Sequence, residues 1–282
     1  MSANHKPCVI LRVSLIVGIY GLLSLMTPSL KAQTIKIGST GAALGTMHVL
    51  AETFKKSRLE AKVIVVPGLG SGGARKALLG GAIDIAVTSR AGKDAEKLEG
   101  AVAVLLGMTP FVFATSKKNT ASALTTQDLV DIWSGKTTAW PDGGRLRLIL
   151  RPESDSDTDV LKRISPALAQ AIKNALSREG MKIAITDVES ADAIETIQGA
   201  LGTSTLALLI SEKRPLKALS LDGVMPSPKT IANGSYPHFK SIYVVTGAKP
   251  SEPTEEFMAF LRSISGREIL AQMGHWLGDA RP

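Results

Sequence analysis

Gly38-Ser39-Thr40-Gly41 follows the apolar run Ile35–Ile37 and leads into Met47, Leu50, Ala51 and Phe54, apolar residues at three- and four-residue spacing. That order reads as a strand, a tight turn and a helix. Gly68-Leu69-Gly70-Ser71-Gly72-Gly73 and Arg151-Pro152-Glu153-Ser154-Asp155-Ser156 stand in the same position, each between an apolar run and a helical pattern. The first N–H groups of a helix lack intrahelical partners and sit at the positive end of the aligned peptide dipoles, so small residues there let an oxyanion approach. One Gly/Ser turn is more often a simple connection than a ligand site. Three in one chain point to a shared anion cradle.

Outward from these loops, short apolar runs alternate with helical patterns: Ala61–Val66, Ile83–Val87, Val102–Leu106, Phe111–Ala114, Leu146–Leu150, Ile183–Ile185, Ala207–Ile210 and Ile242–Val245 are the further strand candidates. The alternation predicts an α/β fold of parallel sheets with helices on both faces. Thr125-Thr126-Gln127-Asp128 resembles a capping box before Leu129, Ile132 and Trp133, with Gly135 just beyond that helix. Ser165-Pro166 divides Thr158–Arg178 into two helices, because proline is tolerated in the first turn and not inside. Thr254–Ser263 and Gly266–Met273 form a last helical pair with Ser265 as the expected cap.

The start of the chain sets an expected destination. Lys6 and Arg12 precede the apolar segment Val13–Met26, Pro28 breaks it, and Ala32 offers a small residue for cleavage, so residues 1–32 read as a secretory signal and the mature chain begins near Gln33. The one cysteine, Cys8, lies in this segment, so the mature chain has no disulfide, thiol nucleophile or thiolate metal site. Removing 32 of the 282 residues leaves 250, enough for two lobes that each bury a core. The formal charge of +8 falls to +5 once Lys6, Arg12 and Lys31 are gone, and the remaining basic residues are dispersed, which gives no nucleic-acid footprint.

Taken in order, Gly38–Gly41, Gly70–Gly73 with Gly81-Ala82-Ile83-Asp84-Ile85, Leu124–Lys136 with Trp140, Arg151, Gly199-Ala200-Leu201-Gly202, Asp222–Pro226 and Ile231–Pro237 are landmarks. The chain from Ile37 to about Gly274 resembles the phosphate-type periplasmic substrate-binding proteins of ABC transporters, and the stretch around Ile132 is the most specific part of that likeness. The resemblance implies a two-lobed type II binding-protein fold with two chain crossovers, near Phe111–Ser116 and Ser241–Thr246. Lobe 1 then combines residues 33–112 and 245–282, and lobe 2 holds 113–244. It also implies a monomeric periplasmic receptor that captures a small inorganic oxyanion, phosphate foremost, for an ABC permease, with no cofactor.

Binders of this family hold a dehydrated oxyanion by backbone N–H groups and hydroxyls of three loops plus one arginine. On this sequence the resemblance places the ligand against Ser39, Thr40, Gly41 and Ala42, against Ser71 and Gly72, and against Thr88 and Ser89. Arg151 is the charged ligand group, with an ion pair to Glu153 or Asp155 as its structural alternative. Arg75 and Arg90 are secondary candidates. The third loop supplies Asp155, Ser156, Asp157 and Thr158, but Asp157 stands where the family has glycine, and Ser89 where the best-known members have an aspartate. Two carboxylates at a helix start meant to face an anion would repel it. They favour a second reading, a binding-protein fold diverted to sensing or envelope protein contacts. An enzyme is disfavoured, because His48, His238 and His275 are isolated and neither Ser71 nor Ser156 has an assigned base.

Overall fold

The computed structural model describes residues 1–3, 34–58, 61–90 and 100–278. The core of the expected leader, Cys8 and Gln33 lie outside the described residues.

The mixed sheet begins with β1 (Thr34–Ser39), β2 (Lys62–Val66) and β3 (Ile85–Thr88), where β1 pairs in parallel with both others. Next come β4 (Val102–Ser116) and β11 (Phe239–Thr246), and β11 lies antiparallel between β3 and β4. The far half of β4 pairs antiparallel with β8 (Ala200–Thr205) and β9 (Leu216–Ala218). Beyond β8 lie β6 (Arg147–Leu150) and the two-residue β7 (Lys182–Ile183), both parallel to their neighbours, while β5 (Ala123–Leu124) and β10 (Ser220–Leu221) pair in a separate two-stranded sheet. The expectation of parallel sheets is therefore corrected to a mixed arrangement, because β11 runs antiparallel to both β3 and β4, and β4 runs antiparallel to β8 and β9. Val102–Leu106 and Phe111–Ala114, expected as two strands, are one fifteen-residue strand that passes between the two halves of the sheet.

Alternation along β4 explains how it serves both halves. Phe111 and Phe113 point to one face, packing with Leu129, Trp133, Leu168 and Tyr236, while Val112 and Ala114 point to the other, with Ile149, Ile194 and Leu208. A third cluster of Ile37, Met47, Leu50, Val87, Ile242 and Phe257 fills the first half. The molecule is thus two-lobed, with separate cores joined through β4 and the chain leading into β11.

Helices follow their local signals, and α5 (Pro166–Leu176), α8 (Pro228–Ala232) and α9 (Glu252–Arg262) each carry a proline in the first turn. Helix α3 (Thr126–Ser134) carries the capping box at Thr125 and Asp128 and ends at Gly135, whose φ of 83° is the left-handed region glycine enters most readily. The run Ala207–Ile210, expected as a strand, lies in helix α7 (Leu206–Ser211), where Thr205 caps Leu208 N–H. A short apolar run is ambiguous by periodicity, and the cap decided it. Ser263, not Ser265, caps the last helix, α10 (Ile264–Gln272), by accepting from Gly266 N–H.

Candidate functional site

Three helices bring their N-termini to one place. They are α1 (Gly41–Ser57), which leaves β1; α4 (Ser156–Ile164), which follows β6; and α6 (Asp187–Thr196) after β7. Each start follows the C-terminal end of a parallel strand, the position at which open α/β sheets present their ligand sites.

The groups that meet there are charged. Asp187, 4 % exposed at the first position of α6, accepts from Ala42 N–H at 3.1 Å and from the Thr40 hydroxyl at 3.3 Å through Oδ2. Its Oδ1 accepts from Lys240 Nζ at 2.7 Å. Lys240 Nζ also donates to Asp157 Oδ1, and Asp157 Oδ2 accepts from the Thr203 hydroxyl at 2.7 Å. Arg151 pairs with Asp155 at 2.9 Å, lies 3.7 Å from Asp157 and 3.8 Å from Asp187, and donates to the Ala184 carbonyl at 3.1 Å. Three carboxylates therefore face two cations, and the excess negative charge sits against helix N-termini that favour it.

Burial alone would hold the Asp187 carboxyl neutral, but Lys240 and Arg151, with hydrogen bonds from Lys240 and Ala42 N–H, outweigh it and bring its pKa down to about 2. Burial likewise disfavours the Lys240 ammonium, yet Asp157, Asp187 and Asp155 raise its pKa above the ordinary lysine value. The Arg151 guanidinium is raised for the same reason, burial being outweighed by Asp157, Asp187 and Asp155. Asp155 moves upward, driven by burial and by Asp157 against the pull of Lys240 and Arg151.

The start of α1, expected from the sequence to be an anion cradle, is thus filled by the chain's own carboxylate. Close approach is possible because residue 41 is glycine: a Cβ there would lie 2.7 Å from Asp187 Cβ. Further contacts hold the two lobes together around this point. Arg90 Nη2 donates to Asp159 at 2.5 Å and to the Ser154 carbonyl at 3.0 Å, and the Thr205 hydroxyl donates to the Ala42 carbonyl at 3.4 Å.

The sequence-derived site residues fall around this cluster. Ser39 is buried and donates to the Thr40 carbonyl at 2.8 Å; the Thr40 and Ser89 hydroxyls lie 3.3 Å apart; and the Ser71 hydroxyl accepts from Ser89 N–H at 2.9 Å. Gly72 lies in helix α2 (Gly70–Leu79), and Thr88 donates to the Arg90 carbonyl at 2.8 Å. Arg75 Nη2 reaches the same carbonyl at 2.6 Å. Thr158 is buried and donates to the Pro152 carbonyl at 2.8 Å, and Asp155 caps Asp157 N–H at 2.8 Å. Asp157, the carboxylate that the sequence places at a helix end meant to face the anion, is fully buried and paired with Lys240 and Thr203. The Lys240 ammonium draws it inward.

Asp187 and Lys240 were not among the sequence-derived residues. Lys240 shares the strand face of the buried Ile242 and Val244, so alternation along β11 placed a lysine toward the interior. Asp187 follows the capping Thr186 and reads as an ordinary acidic residue in a first helical turn.

Comparison with known proteins agrees with this architecture. The chain is 26 % identical over 243 residues to the phosphate-binding protein PstS of Bacillus subtilis, covering 82 % of this chain and 75 % of that one. Among solved structures, one from Clostridium perfringens assigned as a phosphate ABC transporter substrate-binding protein, with phosphate bound, superposes with a TM-score of 0.73 at 22 % identity, over 87 % of this chain and 99 % of that one. The periplasmic molybdate-binding protein of Azotobacter vinelandii superposes with a TM-score of 0.64 at 17 % identity, over 87 % and 100 %. The PBP superfamily domain profile matches residues 27–264, and the chain belongs to that superfamily.

Proposed function

We propose that this chain is the solute-binding component of an ABC importer, exported by the segment 1–32, which captures a small oxyanion in the cleft and presents it to a permease. Phosphate is the foremost candidate. The observation that carries this reading is the contact of Asp187 Oδ2 with Ala42 N–H and the Thr40 hydroxyl: the cradle already holds an oxyanion, supplied by the chain itself. Capture is then an exchange. The ligand takes the place of the Asp187 carboxylate on the α1 N-terminus, and Arg151 and Lys240 supply the neutralising charge. Residues 33–112 with 245–282 and residues 113–244 are the halves that part and close during it. Binding without turnover is favoured because the cleft hydroxyls of Thr40, Ser71 and Ser89 bond to each other, to backbone N–H or to Asp187, and among the described residues none is hydrogen-bonded to a histidine.

The same contact gives a second reading its support: a cleft occupied by its own carboxylate also suits a binding-protein fold diverted to sensing or envelope contacts. Native mass spectrometry of the purified protein, followed by calorimetric titration with phosphate, separates the two. A co-purified or saturably bound oxyanion supports capture. Absence of binding by phosphate, sulfate and molybdate supports the diverted fold.

A further inference from the structure

Beside the filled cradle the cleft keeps an open chamber of about 370 Å³. At about 30 Å³ per water it has room for roughly a dozen, and it falls in the size range of small-molecule sites. Its lining includes Lys240, the residue that also holds Asp187, together with Ser89 and Arg90. One face of α4 forms the wall: Ser156, Asp159, Val160 and Arg163 recur at helical spacing.

The groups lining the chamber differ in how far they are committed. Asp159, its one carboxylate, is neutralised by Arg90 at 2.5 Å. The side chains of Ser156, Ser241 and Arg163 make no hydrogen bond or ion pair among the described residues. Burial lowers the His238 pKa, and Arg163 lies near enough for its charge to lower it further. Phe239 and Val160 add an apolar patch between them. From Ser156 to Arg163 the helix rises about 10 Å, and side chains lean toward its N-terminus, so Arg163 can reach back over the chamber. A free phosphate would leave most of this space to water and Arg163 without a counter-charge.

We infer that the ligand is an organic phosphate, a phosphate monoester carrying a second anionic group, and that Arg163 selects for that group. This rests on the cleft's taking an oxyanion: the phosphoryl end sits at the cradle beside Lys240, and the remainder extends along α4 over Val160 and Phe239. Arg163 acts on specificity through the far end of the ligand.

Calorimetry with inorganic phosphate, glycerol 3-phosphate and 3-phosphoglycerate, on the parent protein and on Arg163→Ala and Arg163→Lys, tests it. The parent should bind 3-phosphoglycerate roughly tenfold or more tightly than the other two, as expected for one charge-assisted contact. Arg163→Ala should erase that preference and Arg163→Lys should retain part of it. Equal or tighter binding of inorganic phosphate by the parent overturns the inference and leaves oxyanion capture standing. A preference that survives in Arg163→Ala overturns the role of Arg163. Binding of none of the three removes the oxyanion reading and this inference together.

Discussion

Replacing Asp187 with alanine should strengthen phosphate binding. At neutral pH the carboxylate is charged, its pKa lying near 2, and it occupies the two donors that start α1. An incoming phosphate must break those contacts and then tolerate the displaced charge nearby. At an effective dielectric of about 20, like charges about 4 Å apart repel by about 4 kcal/mol, and by about half that at twice the distance. Removing the charge should therefore improve affinity by about 2–4 kcal/mol, roughly thirty- to a thousandfold. The variant also leaves Asp155 and Asp157 facing Arg151 and Lys240, a matched set in place of an acidic excess. Loss of the Lys240 contact costs stability, about 1–3 kcal/mol, less than for an isolated buried pair because Asp157 still holds the ammonium. Saturating phosphate should restore much of that loss, about 3 kcal/mol at a hundred times Kd. Titration calorimetry and ligand-dependent melting measure both quantities. A folded Asp187→Ala protein that binds phosphate no better than the parent would refute the exchange.

Three further outcomes follow from the same geometry. Lys240→Met leaves Asp157 and Asp187 buried with only Arg151 nearby, and urea denaturation should show a loss of about 3–5 kcal/mol. Gly41→Ala places a methyl group against Asp187 Cβ, so small-angle scattering of the unliganded variant should give a larger radius of gyration than the parent. His275 is buried beside the Thr46 hydroxyl, and desolvation lowers its pKa to about 4. The unfolded chain takes up this proton near pH 6.5 and the folded chain only near 4, so stability is full above 6.5 and falls as pH drops toward 4, by about 3 kcal/mol from this group. His275→Gln should flatten that window; an unchanged pH profile would assign the dependence elsewhere.

The strand–turn–helix loops were legible because their chemistry is local. A strand end, a small-residue turn and an amphipathic helix lie within about twenty residues at Gly38–Gly41, and the capping box at Thr125 is shorter still. Ala207–Ile210 was misread because four apolar residues fit a buried strand as well as a short helix. The chemistry inside the cleft was hidden for a different reason. Asp187 reaches Ala42 across 145 positions and Lys240 reaches Asp157 across 83. Neither residue type is unusual where it stands, and only the tertiary fold makes them neighbours. Lys240 did leave a trace, since alternation with Ile242 and Val244 set it on a buried face. Asp157 was noticed, but its buried pairing with Lys240 was not, because that cation lies 83 positions away.

The most direct measurement is a crystal structure of the protein grown in saturating phosphate. The account predicts a phosphate oxygen within hydrogen-bonding distance of Ala42 N–H and the Thr40 hydroxyl, with the Asp187 carboxylate withdrawn from both. An unchanged Asp187 on those donors, with no anion between the lobes, would contradict it.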